Sequence, residues 1–223
     1  MGRVVGLWRY PVKSFGGERR DELVVDERGV AGDRVWALVH ASGKIASGKT
    51  TRRFARVPGL LRHRARFGDD GAPLVELADG SVVAPADALA AELGGPGWRF
   101  DRERTTSHFD AGAVHVVTTA TLAALAAVSE RPVEVERLRP NLLVESDERE
   151  EAWVGRRLVA GEVELEVAMP APRCVMVCHE QPGLPKRPTL LREIARGHGL
   201  DVGVYARVVR PGRVRLGDRV AVG

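Results

Sequence analysis

Hydrophobic and polar positions in this chain alternate in short runs. Residues 162–167 read Glu-Val-Glu-Leu-Glu-Val, a period of two that puts Val163, Leu165 and Val167 on one buried face. Short apolar runs at residues 4–10, 22–26 and 34–40 predict further strands. Residues 74–77 and 81–83 flank Ala78-Asp79-Gly80 and predict a hairpin. Residues 205–209 and 213–216 predict another around Arg210-Pro211-Gly212, and Gly217-Asp218 turns into a last short strand. Helical patterning is scarce. Residues 86–93 stop at Gly94-Gly95. Thr119 or Thr121 caps a helix running to Ser129, and Thr189 caps residues 190–196, which Gly197 ends. The sum is a mainly β protein with a few short helices. Most connections are too short for βαβ crossovers, so antiparallel pairing is expected. A boundary near residues 105–111 divides the chain into 1–108 and 109–223.

Composition narrows the class. With 44% apolar and 29% charged residues, the 223-residue chain can bury a core and is not a disordered one. Two cysteines cannot make a disulfide framework and point to a reducing, cytoplasmic compartment. The start carries no signal-peptide core and no myristoylation pattern. The uncharged run 111–129 is long enough to span a bilayer. Its His115, Thr118, Thr119 and Thr121 and its many alanines read instead as a strand followed by a helix. The net charge of +4 permits a polyanionic partner, but 34 basic residues are interspersed with 30 acidic ones and aromatics are only 5%. Neither a membrane nor a nucleic acid is the expected partner.

Gly43-Lys44-Ile45-Ala46-Ser47-Gly48-Lys49-Thr50 fits the phosphate-cradling pattern G-x-x-x-x-G-K-[ST]. That loop works only where a strand leads through it into a substantial helix whose N-terminus faces the phosphate. Pro58 leaves room for barely two helical turns, and residues 41–44 read as a hairpin tip. The segment is therefore a basic, glycine-flexible loop rather than a nucleotide site.

Three other clusters carry chemistry. Arg173 precedes Cys174, and a cation beside a thiol favours the thiolate, a nucleophile and soft-metal ligand. Cys178 and His179 follow, but no second cluster completes a structural zinc site. Arg139-Pro140-Asn141 precedes an apolar strand, with the arginine and the amide pointing the same way if extended. Lys13-Ser14 ends the first strand and suits an anion. Singly, each has an ordinary alternative: a small buried thiol, a surface salt bridge, a solvated loop.

Together and in this order the pieces resemble the MOSC family, named for the molybdenum-cofactor sulfurase C-terminal domain. Residues 7–14 (Leu-Trp-Arg-Tyr-Pro-Val-Lys-Ser) are similar to the opening of its N-terminal β-barrel subdomain. Gly29 to Trp36 is similar to its Gly-x-x-x-Asp-Arg-x-Trp strand, Arg139-Pro140-Asn141 to its Arg-Pro-Asn, and Arg173-Cys174 to its Arg-Cys. The segment from Gly203 to Asp218 resembles its closing strands. The resemblance implies a MOSC-type β-barrel core at 109–223 and an N-terminal β-barrel subdomain at 1–108. It implies the molybdenum cofactor (molybdopterin), with Cys174 as the catalytic residue and metal ligand. The pterin's anionic end falls to Lys13, Ser14, Arg34, Thr118, Thr119, Thr121, Arg139 and Asn141, with Arg173 beside the thiolate. The implied activity is reduction of N-oxygenated substrates such as hydroxylamines, N-hydroxylated bases and amidoximes, as in the mitochondrial amidoxime-reducing component and its bacterial relatives. Electrons would come from a separate ferredoxin, flavodoxin or haem-type protein, steered by Arg52, Arg53, Arg56, Arg62 and Arg64. The alternative on the same fold is a sulfur (persulfide) carrier or cofactor-delivery protein acting through Cys174, with Cys178 as a resolving thiol. Residues 181–186 depart from the Asp-Pro-x-Thr-Gly stretch of relatives and would line the substrate mouth.

Overall fold

The computed structural model describes residues 2–104, 107–129 and 131–223. The expected boundary at 105–111 therefore begins outside the described residues. Seven strands close into a barrel. Around it, Gly2–Arg9 pairs with Leu142–Glu145, then come Val114–Thr118, Asp201–Arg210, Val163–Pro172, Arg157–Ala160 and Arg219–Val222, which returns to Gly2–Arg9. The chain's first strand thus sits between strands from the far half. The barrel is filled by inward apolar residues including Leu7, Val116, Leu142, Leu165 and Val204, with Trp153 buried among them. The alternation at 162–167 appears as predicted, with Val163, Leu165 and Val167 buried.

A second core, built on Val12, Phe15, Leu38, Ala46, Leu60 and Val75, belongs to the N-terminal strands. Trp36–His40 pairs with Trp98–Arg102 on one side and with Ile45–Ser47 on the other. Pro73–Glu76 and Val82–Val83 form the predicted hairpin. A third cluster packs the helices Thr119–Val128 and Leu190–His198 on the barrel's outer wall.

Several local expectations are corrected. Residues 205–216 are not a hairpin. Gly212–Arg215 leaves the barrel and pairs with Glu22–Asp26, while Asp201–Arg210 pairs with Val163–Pro172 and Val114–Thr118. Local sequence shows the turn but not the partner. Pairing is mostly antiparallel, yet Val114–Thr118 runs parallel to Leu142–Glu145, because residues 119–141 supply a helical crossover. The run 111–129 is indeed a strand followed by a helix, and no helix among the described residues is long and apolar enough to cross a membrane. The helix Leu190–His198 continues through Gly197 and ends at left-handed Gly199.

The helix Thr119–Val128 is capped one position earlier than predicted, by Thr118, whose hydroxyl accepts from the Thr121 N–H at 3.2 Å. The buried carboxylate of Glu150 lies at the same helix start. One of its oxygens accepts from the Thr118 N–H (2.9 Å), the Thr118 hydroxyl (2.5 Å) and the Thr121 hydroxyl (2.7 Å). Three donors from the helix start converge on this one oxygen. Replacing Glu150 with alanine leaves those donors unpaired in a dry site. We expect a loss of about 3 kcal/mol or more in urea unfolding. A midpoint equal to the parent's would show that the carboxylate does not lock the helix to the barrel.

Candidate functional site

Where the N-terminal strands meet the barrel, a cavity of about 240 Å³ opens. Lys13, Ser14, Arg34, Lys49 and Asp110 line one side of it, and His115, Arg137, Arg139, Arg173 and Cys174 the other. Six of the ten residues expected at the site therefore converge: Lys13, Ser14, Arg34, Arg139, Arg173 and Cys174.

The chain holds these residues in costly backbone. Only four non-glycine residues among those described have positive φ, and three are Ser14 (64°), Arg34 (51°) and Arg139 (57°). An L-residue with a side chain loses about 1–2 kcal/mol in that conformation. Arg139 caps the end of the Val135–Leu138 helix, Ser14 and Arg34 sit in turns between strands, and all three line the cavity at the seam. The fourth, Leu200 (76°), offers its carbonyl to the Arg173 N–H at 2.7 Å.

The two main arginines are held on one ring. Arg34 lies 4.7 Å and Arg139 4.4 Å from the centroid of Tyr10. The phenol donates to the Pro140 carbonyl at 3.1 Å. Asp33, fully buried, pairs with Arg34 and accepts the Tyr10 N–H at 2.7 Å. Burial works against the charge of Arg34, yet Asp33 and the Tyr10 hydroxyl hold it above the usual arginine range. Burial and then the neighbouring Arg34 push Arg139 below that range. Burial raises the Tyr10 hydroxyl beyond ordinary tyrosine. A second ring does the same for the lysines: Lys13 lies 4.6 Å and Lys49 5.4 Å from the Phe54 centroid. Asp110 sits between them, 3.1 Å from Lys13 and 3.8 Å from Lys49. Partial loss of water pulls Asp110 up, but the two lysines outweigh it and hold the carboxyl below its usual value. Lys13, 3% exposed, is lowered by burial to about 8.

His115 completes the wall. Its Nδ1 lies 3.2 Å from the Arg139 carbonyl, which can only accept, so Nδ1 carries the proton. Burial, then Arg173, keeps the imidazole well below its normal pKa, hence neutral. Gly203, with φ of 83°, is required here because a Cβ would lie 2.3 Å from the His115 ring.

Four expected residues are elsewhere. Thr118 and Thr121 face Glu150, and the Thr119 hydroxyl donates to the Ser146 carbonyl at 3.2 Å. The anion at that helix start is the chain's own carboxylate. Asn141 braces the barrel: its Oδ1 accepts the His115 N–H (3.0 Å) and its Nδ2 donates to the Trp8 carbonyl (3.2 Å). Arg173 lines the cavity, but its Nε and Nη1 donate to the Ala171 and Leu138 carbonyls at 3.0 and 2.9 Å. It clamps the end of the Cys174 strand to the Val135–Leu138 helix. Cys178 is buried in the helical cluster, its Sγ 3.7 Å from the Pro188 carbonyl and 3.4 Å from the Leu191 N–H, and is not among the cavity residues. No group of three metal-ligating side chains occurs among the described residues. Arg53 turns inward to the Phe109 carbonyl at 2.9 Å, so it is not part of an exposed basic rim.

Sequence reasoning missed Lys49, Asp110 and His115 as lining residues. Lys49 had a signal in the phosphate-loop pattern. The pattern's architecture is absent, since Gly43 (φ 80°) turns a hairpin and Thr50 leads into a loop and a strand. The loop nevertheless delivers its lysine to an anion-suited cavity.

Residues 1–81 match the MOSC N-terminal beta barrel domain and residues 101–221 the MOSC domain. The chain belongs to the MOSC family. The family is associated with binding of the molybdenum cofactor. Among solved structures, the YUAD protein from Bacillus subtilis shares this MOSC chain's fold, with a TM-score of 0.56 at 16% identity over 99% of this chain and 94% of that one. YiiM from Geobacillus stearothermophilus aligns over 50% of this chain and 54% of its own, at 20% identity and a TM-score of 0.39. No curated protein matched the sequence.

Lys13 gives a pH test of the MOSC cavity. Between about 8 and the ordinary 10.5 the folded chain has released this proton while the unfolded chain keeps it. The unfolded state binds more protons, so the burial penalty fades and stability rises with pH across that window. The stability difference between the parent and Lys13→Met should therefore shift in the parent's favour between pH 7.5 and 9.5, read from urea midpoints. A pH-independent difference would mean that Lys13 is not held in a desolvated site.

Proposed function

We propose that this MOSC protein binds the molybdenum cofactor and reduces N-oxygenated small molecules: hydroxylamines, N-hydroxylated bases or amidoximes. The observation that carries the reading is that Cys174 opens into the same cavity as Ser14, Arg34 and Arg139, the three residues held in left-handed backbone. Strain of that kind persists where the surrounding fold over-determines it, and it concentrates at ligand sites. The donor set also suits the group. A soft thiol stands beside Lys13, Lys49, Arg34 and Arg139, opposed in the lining by Asp110 alone among carboxylates.

In this reading Lys13, Lys49, Arg34 and Arg139 hold the anionic end of the pterin, and Ser14 adds a hydroxyl. Cys174 is the metal ligand. Bound there, the group supplies two-electron oxygen-atom transfer. The overall conversion is R–NHOH + 2 e⁻ + 2 H⁺ → R–NH₂ + H₂O, with electrons from a separate ferredoxin, flavodoxin or haem-type protein. Arg173 positions Cys174 through its two carbonyl contacts. Neutral His115 keeps one face of the cavity uncharged, and the Tyr10 and Phe54 rings carry the cations without neutralising them.

The test is molybdenum per chain by mass spectrometry, on protein made in a cofactor-competent host. Near-stoichiometric metal is expected, falling at least tenfold in Cys174→Ala. The loaded protein should convert benzamidoxime to benzamidine with reduced viologen as electron source. Folded protein with no molybdenum, but with sulfane sulfur on Cys174, would replace this reading with sulfur carriage.

A further inference from the structure

A second cavity, about 350 Å³, adjoins the first and shares Met176 with it. Its floor is apolar, formed by Val57, Leu60 and Leu61, all buried. Its rim is not. Arg56, Arg62 and Lys186 line it against a single carboxylate, Glu180, and none of the three cations forms an ion pair among the described residues. Some exposed arginines elsewhere are paired, as Arg207 is with Glu166 and Arg213 with Glu22, but what marks this rim is that three cations face one concavity. Three cations around one concavity give it a positive field that favours an anionic ligand.

The wall between the two cavities is thin by construction. A Cβ on Gly48 would lie 2.5 Å from the Met176 sulfur and 2.8 Å from the His179 ring. The loop that brings Lys49 to the first cavity is thus packed, through Gly48, on the turn that follows Cys174. Burial, then Arg56 and Lys186, holds His179 below the usual imidazole range, so it adds no further positive charge to the rim.

We propose that this second cavity is the substrate pocket, and that it selects N-oxygenated compounds with a flat apolar body and an anionic group at the far end. The apolar body lies over Leu60 and Leu61, the carboxylate or phosphate meets Arg56, Arg62 and Lys186, and the N–O end passes Met176 toward Cys174. Its volume is at the small end of ligand pockets, which suits a single substituted ring. Assignment of the N–O end rests on the cofactor reading above; recognition of the anion does not.

The test is calorimetric binding of 4-carboxybenzamidoxime and of benzamidoxime to the chain as purified, with no electron source and with molybdenum content measured on the same sample. The carboxylated probe should bind at least tenfold more tightly. The double substitution R62Q/K186Q should erase that difference while leaving the thermal unfolding profile and the molybdenum content at parent values, since both side chains are exposed. The proposal is overturned if the two probes bind equally, if neither binds at millimolar concentration, or if the preference survives the double substitution. A chain without molybdenum that still shows the preference removes the cofactor reading and keeps the anion pocket.

Discussion

The seam between the two halves of this protein is organised around buried positive charge that the protein itself leaves only partly neutralised. Arg34 and Arg139 share the face of Tyr10, and Lys13 and Lys49 share Phe54, with Asp33 and Asp110 as the near carboxylates. Removing like charges from water costs several kcal/mol each unless partners replace the lost hydration. Aromatic faces return about 0.5–2 kcal/mol per cation and cannot close that gap. The result is positive charge gathered, and only partly offset, at one place in the fold.

Much of the surrounding structure serves that arrangement. Gly2–Arg9 is locked between Leu142–Glu145 and Arg219–Val222, so the residues that follow it, Tyr10 to Ser14, leave the barrel at a fixed point. Asn141 ties the same strand to Val114–Thr118 through the Trp8 carbonyl and the His115 N–H. The left-handed residues then turn side chains from three separate stretches into one volume. Glu150 secures the start of the crossover helix, and with it the parallel pair that sets the Arg139 turn. Stability is given up locally so that charge can be held ready.

The residues read from the sequence divide by how their side chains are satisfied. Lys13, Ser14, Arg34, Arg139, Arg173 and Cys174 meet at the cavity because turns and element ends from separate stretches converge at the seam. Thr118, Thr121 and Asn141 sit in the same stretches and carry suitable groups, yet their partners are Glu150 and strand backbone. Nothing in the threonine pattern distinguishes an external anion from a glutamate about thirty residues away. The phosphate-loop pattern is not a nucleotide architecture here, but it marks a loop whose lysine lines the first cavity. Lys49 is recruited through the packing of Gly48 on Met176 and His179, a contact across more than a hundred residues of chain.

Alone, the sequence determined the β class, the short helices, the hairpin at 74–83, the alternation at 162–167 and the family, because these depend on local periodicity and on motifs kept together in order. It also showed which residue types could hold an anion and a soft metal. Only the tertiary structure decided that Gly212–Arg215 pairs with Glu22–Asp26 instead of with its neighbour, that three arginine and serine positions adopt left-handed backbone, and that a second, cation-rimmed cavity lies beside Cys174. Those features arise from contacts between distant segments. Their energies come from shared burial and charge proximity, which no local pattern encodes.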